Sequence, residues 1–155
     1  MLSCKSSRSG GLELTDKKTT VTLAGASVSL AEETFESPGE YESNGVEVIY
    51  GQTAALIVWE RLQIVYVFGS DAPSNFEAGQ FSSCDVLVIG DRESNLDKAA
   101  ITPLFETYDP TVVIISPTNT VDDSLKEALK IQETDQVKLA AATLPVEGRD
   151  TFKLQ

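Results

Sequence analysis

The chain has no histidine. Histidine is the commonest metal ligand and the usual general base near neutral pH. Its absence excludes every Ser-His-Asp and Cys-His device, and it leaves a zinc ion only thiolates and carboxylates to bind. Cysteine is nearly as scarce: Cys4 and Cys84 stand alone in 155 residues. Two such residues make no disulfide framework. Cys84 abuts an apolar run and reads as a small buried hydrophobe, and Cys4 reads as a free thiol. Basic residues are few, 12 Lys and Arg against 24 Asp and Glu, for a formal net charge of -12. That balance argues against nucleic acid and anionic membrane surfaces as partners, since both attract basic patches. The ordinary reading of the acidity is a solubilising surface; a basic partner or a salty environment are the alternatives. No apolar run reaches the length of a membrane span. No basic-then-apolar leader opens the chain, so a cytoplasmic location is expected.

What is present is enough chain for one core, and a single domain over residues 1–155 is expected. The organising stretch is residues 84–117. Asp85-Val86-Leu87-Val88-Ile89 is an apolar run closed by Gly90-Asp91, and Val112-Val113-Ile114-Ile115 is another closed by Ser116-Pro117. Neither alternates, which is the pattern of parallel strands covered on both faces. Between them Leu96, Ala99, Ala100, Pro103 and Leu104 fall on one helix face. The spacing predicts a right-handed βαβ unit with one bent helix over residues 95–107, Ser94 as its cap and Asp97 at the reciprocal capping-box position.

Upstream, residues 3–11 are small and polar and predict a loose start or a weak strand. Leu12-Glu13-Leu14, residues 19–23 and Val28-Ser29-Leu30 predict an antiparallel meander with one wet face. Pro38-Gly39 predicts a tight turn. Asn44-Gly45 is the strongest hairpin signal, because a type I′ turn needs positive φ at both positions. Residues 53–59 and 62–68 predict a second pair of strands. Their Glu60-Arg61 turn lacks glycine and asparagine, which suggests a bulged or longer loop. Trp59 and Tyr66 read as sheet-face residues packed against a helix. Residues 74–80 predict a short helix with Phe76 inward. Thr120 predicts the cap of a last helix carrying Leu125, Ala128 and Leu129. Residues 137–141 and 152–154 predict edge strands.

Several of these segments together resemble a known family. Phe35-Glu36-Ser37-Pro38-Gly39-Glu40-Tyr41-Glu42-Ser43-Asn44-Gly45-Val46 resembles the "PGEYE…GV" segment of the small metallo-β-lactamase-like hydrolases. Residues 64–71 resemble that group's "HLGDLGH" strand and loop, residues 85–89 its "DVLLIP" strand, and residues 108–114 its "DPKIVIPMH" segment. The resemblance covers residues 35–118 and extends over residues 137–154. It implies an α/β fold, a shortened metallo-β-lactamase-like αββα sandwich with mixed sheets, its N-terminal half reduced. In the family, zinc or iron sits in loops at one sandwich edge, held first by an H-x-H-x-D-H loop. The corresponding stretch here, residues 23–35, carries no ligand set. By the same resemblance the bridging aspartate falls at Ser70 with Asp71 beside it, one histidine at Pro73, and the last ligand near Pro117.

Without ligands there is no metal-bound water to act as nucleophile. The first functional expectation is therefore a non-catalytic protein without cofactor, acting through an unidentified protein partner or through a homodimer. The dimer would cover apolar surface left by the shortened half, on residues 53–68 or on the N-terminal meander. The second is a metal-free hydrolase using loop carboxylates, with Asp71, Asp91, Glu93 and Asp97 placed after candidate strands. A weak divalent-cation site at Asp71 and Asp91 is a variant of it. A third, a small-ligand binder, would use Ser116-Pro117-Thr118-Asn119-Thr120, although Thr120 is better explained as a cap.

Overall fold

The structure is a computed structural model, and it describes residues 1–8, 10–69, 75–81, 83–91 and 95–155, without the side chains of Asn75 and Phe76. Five strands follow one another from the start: β1 Leu2–Ser6, β2 Leu12–Thr15, β3 Thr20–Ala24, β4 Ser27–Leu30 and β5 Glu33–Phe35. They pair antiparallel in sequence order. A late strand, Gln136–Leu139, joins outside β1 and completes a six-stranded sheet. Period-two alternation decides its faces. Leu2, Cys4, Leu12, Leu14, Val21, Leu23, Val28 and Leu30 are all buried on one side. Ser3, Lys5, Glu13, Thr15, Thr22 and Ser29 take the other and remain partly or fully exposed. The expected meander with a wet face is thus present. Its start is ordered rather than loose, because Leu2 and Cys4 anchor β1 in the core.

The second sheet has eight strands. It opens with an antiparallel run, β6 Gly39–Ser43, β7 Val46–Tyr50, β8 Ala54–Trp59 and β9 Leu62–Val67. It continues in parallel through β10 Val86–Ile89 and β11 Val112–Ile115. Between these two lies helix α2, Lys98–Tyr108, preceded in the chain by α1, Asn75–Gln80, and followed by α3, Asp123–Leu129. The remaining strands are β12 Gln132–Thr134, β13 (the late strand of the first sheet, Gln136–Leu139) and β14 Asp150–Leu154.

The non-alternating strands are buried on both faces, as their composition requires. Val86, Val88, Val112 and Ile114 join the core between the two sheets. Leu87, Ile89, Val113 and Ile115 join a second core with Ile101, Leu104, Tyr108 and Leu125 of the helices. The sandwich is therefore the shortened form: the described helices cover the eight-stranded sheet, and the six-stranded sheet shows water a face of serine, threonine and charged residues. No helix among the described residues is long and apolar enough to cross a membrane.

Local expectations differ from the structure at five places. The turn after β8 is a two-residue loop, with Trp59 paired to Leu62. Glu60 at φ 49° and Arg61 at φ 65° both take the left-handed region without glycine, so strand pairing overrides the local preference. Helix α2 starts later than its polar residues suggest. Asp97 itself is the cap, accepting from the Ala100 amide at 2.9 Å, while Ser94 lies outside the described residues. Helix α3 has Asp122 rather than Thr120 at its N-cap position, without a side-chain cap bond, and the Thr120 carbonyl takes the Leu96 amide. Residues 152–154 are not an edge: β14 is inserted between β11 and β12. The true edge, β12, is Gln-Glu-Thr and carries no apolar signal. Trp59 and Tyr66 face the other sheet, not a helix.

Few large hydrophobics are strongly exposed among the described residues. Met1 and Val146 are the large hydrophobics exposed there. Strands β8 and β9 are almost wholly buried, which leaves residues 53–68 little surface for a subunit contact.

Candidate functional site

Strands β9, β10 and β11 run parallel, and the loops after their C-terminal ends form the sandwich edge where an open α/β sheet normally places its chemistry. After β10 come Gly90 and Asp91; after β11 come Ser116, Pro117, Thr118 and Asn119. The Asp91 carboxylate accepts from the Ser116 hydroxyl at 2.5 Å and from the Thr118 hydroxyl. Asn119 is buried and its side-chain amide donates to the Gly90 carbonyl at 2.9 Å. Lys153 donates to the Pro117 carbonyl at 3.2 Å. These bonds tie the two loops together, with Asp91 serving as the acceptor that holds the β11 loop. Asp97 is occupied as a helix cap. Ser70, Asp71, Pro73 and Glu93 lie outside the described residues, so a pairing of Asp71 with Asp91 is not part of the described geometry. Among the described residues no three His, Cys, Asp or Glu side chains group so as to hold a metal ion.

Beside Asp91, among the described residues, aromatic rings pack between the two sheets. Tyr66 points from β9 across the sandwich, and its hydroxyl donates to the Gly25 carbonyl at 2.7 Å. Tyr50 points from β7 and donates to the neighbouring Ala26 carbonyl. Phe68 packs against both, with ring centroids 5.1 Å from Tyr50 and 5.7 Å from Tyr66. The Ala24-Gly25-Ala26 turn of the first sheet is thereby pinned to the second. Among the described residues, a cavity bounded by Gly11, Leu23, Gly25, Tyr66, Asp91 and Ser116 holds about 10 Å³, the size of a single water at most. Gly90 makes this packing possible: a Cβ there would sit 2.8 Å from the Tyr66 hydroxyl oxygen. Burial pushes the Tyr66 phenol well above its ordinary value, with the Asp91 charge adding to the shift. It is a neutral donor near pH 7.

The zinc that the sequence resemblance brings to mind does not fit these residues. There is no histidine, the phenol is protonated, and Asp91, the one carboxylate among the described residues of this edge, already accepts two hydroxyls and cannot by itself supply a tetrahedral site. Cys4 is buried in the core between the sheets, and Cys84 precedes β10 at its opposite end. Burial pushes both thiols up to about 12, so neither offers a thiolate at neutral pH.

Glu77 carried no signal in the sequence. It is a buried carboxylate in the short helix α1. It accepts the amides of Gln52 at 2.5 Å and Thr53 at 2.7 Å, and the Thr53 hydroxyl at 2.5 Å. These bonds fasten the β7–β8 loop to the helical layer. The arrangement is a structural clamp: the loop's donors are held by one buried carboxyl group.

Scans against protein-family models and against curated proteins found no match. Among solved structures, the chain is similar to a crystal structure from Thermotoga maritima, of a protein described as a candidate zinc-dependent hydrolase of the metallo-β-lactamase superfamily. The TM-score is 0.70 at 12% identity, with 100% of each chain covered. At that identity the likeness establishes the fold, and the chain has a metallo-β-lactamase-like fold.

Proposed function

We propose that this metallo-β-lactamase-like sandwich works without a metal centre, as a non-catalytic protein that acts by binding another protein. The observation that supports it most is the filled edge: Tyr66 and Tyr50 occupy the space between the sheets, and Asp91 is spent on Ser116 and Thr118. A hydrolase of this fold needs an open coordination position and a water with a lowered pKa. Neither Tyr66 nor Asp91 supplies one. Two free, buried cysteines fit a reducing compartment such as the cytoplasm.

Of the partners left open, a second copy and a different protein, the surface favours the second. The outer face of the six-stranded sheet is hydrophilic, and few large apolar side chains are exposed, whereas stable homodimer interfaces are enriched in apolar area.

The test is elemental analysis after mild purification, with assays on an ester, a β-lactam and a phosphodiester. The expected result is less than a stoichiometric amount of zinc or iron and no turnover. A full equivalent of either metal overturns the proposal. So does a crystal grown with Mg²⁺, Mn²⁺ and Zn²⁺ that shows an ordered ion on Asp71 and Asp91 beside a substrate-sized pocket.

A further inference from the structure

The sandwich closes on one side with β5 and β6, the edge strands of its two sheets. Phe35 and Tyr41 stack across the gap at 3.8 Å between ring centroids. Beyond β6 no described strand pairs. The Asn44-Gly45 turn has φ of 53° and 79°, a two-residue hairpin that makes Ser43 and Val46 a hydrogen-bonded pair. Alternation along the antiparallel ladder then bonds Tyr41 to Val48 and Gly39 to Tyr50. Glu40 and Glu42 are left with their amides and carbonyls directed to the open edge.

Side-chain alternation sorts the same residues by face. Tyr41 packs against the inner core, so Glu40 and Glu42 lie on the opposite face with their cross-strand partners Ile49 and Glu47. Glu42 stands directly opposite Glu47 in a non-hydrogen-bonded pair, where side chains approach closest and like charges repel. None of Glu40, Glu42 and Glu47 forms an ion pair among the described residues. None can find a basic neighbour in sequence either: from Lys18 to Arg61 the chain has no lysine or arginine between.

Two grooves meet at Glu40. One, of about 410 Å³, is largely apolar and runs over Pro38, Gly39, Ile49 and Tyr50. The other, of about 230 Å³, is bounded by Glu40, Tyr41, Glu42 and Glu47. Together they form a trough along the β6–β7 hairpin, apolar at the Pro38 end and acidic toward the turn. A second copy is the wrong occupant, because β6 against β6 would bring the same glutamates together.

We propose that the β6 edge takes an extended basic segment of another protein by strand addition. The segment runs antiparallel to β6, with lysine or arginine opposite Glu42 and Glu40 and an apolar side chain two residues further on, over Pro38 and Ile49. Main-chain bonds to Glu40 and Glu42 provide the pairing, and alternate side chains provide the selectivity. This rests on the interaction reading above and names the chemistry of its partner.

The test uses the intact protein, isotope-labelled, and a capped peptide of order Lys-Thr-Lys-Thr-Leu. The control peptide has glutamate in place of lysine. Binding is expected to move the amide resonances of Glu40 and Glu42 and to perturb Ile49 and Gln52. The affinity should fall about tenfold in the E40Q/E42Q variant and should weaken with added salt. No shift at about 1 mM peptide, a weak-binding concentration, overturns the proposal. So does equal binding of the control, or an unchanged affinity in the variant. If E40Q/E42Q/E47Q self-associates in light scattering while the wild type ignores the peptide, the charges serve only to keep edges apart, and the proposal again falls. Metal content is independent of all these outcomes. A metal-loaded, active protein would remove the non-catalytic reading without touching the peptide result.

Discussion

The Tyr66 hydroxyl and the Gly25 carbonyl, 2.7 Å apart and 41 residues apart in sequence, join the two sheets at the edge beyond the C-terminal ends of the parallel strands. The bond lies beside Asp91 and over Gly90, so the same few atoms bring the two sheets into contact there.

Replacing Tyr66 by Phe keeps the ring and removes the bond. The Gly25 carbonyl loses its side-chain donor, at an expected cost of about 1–2 kcal/mol. Urea unfolding at neutral pH measures it; an unchanged midpoint would show that the bond contributes nothing net.

Gly90→Ala should be worse than an ordinary surface substitution. The new methyl would meet the Tyr66 ring carbon at 2.9 Å as well as its oxygen at 2.8 Å, and overpacking of this kind costs about 1–3 kcal/mol. Combining it with Tyr66→Leu should recover part of the loss, so that the double variant is more stable than the sum of the singles predicts. Strict additivity would mean that the two residues do not compete for the same space.

Glu77→Gln can keep one oxygen on the Gln52 and Thr53 amides but puts an NH2 where the second oxygen accepted the Thr53 hydroxyl. Disturbing a buried acceptor costs about 1–3 kcal/mol. Thr53→Val, which removes only the hydroxyl contact, should cost less. Equal losses would contradict the clamp.

Alkaline pH should unfold the protein through its thiols. Burial raises Cys4 from its ordinary 9.0 to about 12, and Cys84 likewise. The folded state therefore keeps protons that the unfolded state releases. Stability is fully present below pH 9 and is lost as pH rises from 9 toward 12, at about 1.4 kcal/mol per pH unit for each thiol. Urea midpoints should be flat across pH 7–8.5 and fall above pH 9, with a shallower fall in Cys4→Ala. Equal slopes in the two proteins would remove Cys4 as a cause.

The strand pattern was legible wherever burial leaves a one-dimensional trace. Val86–Ile89 and Val112–Ile115 are apolar without alternation because both of their faces are covered, and they do form the parallel centre. Asn44-Gly45 declared its hairpin because few other dipeptides accept two positive φ values. The resemblance over residues 35–118 pointed to the fold that the structure has. Strand β12 left no trace, since an edge of Gln-Glu-Thr pairs by its backbone and buries nothing. The turn at Glu60-Arg61 was misread for a related reason: twelve paired residues of β8 and β9 outweigh two local preferences.

For the candidate site the division is sharper. The missing histidines are a property of composition, and they alone exclude imidazole as a zinc ligand and as a general base. Which atoms occupy the sandwich edge instead is a matter of distance between residues remote in the chain. Tyr66 meets Gly25, Asp91 meets Ser116, and Glu77 meets Thr53 only when both sheets and the helical layer have packed. A residue's type limits what it can donate or accept, and that much is written in the sequence. Whether the group is already satisfied depends on neighbours that only the tertiary structure brings within hydrogen-bonding reach.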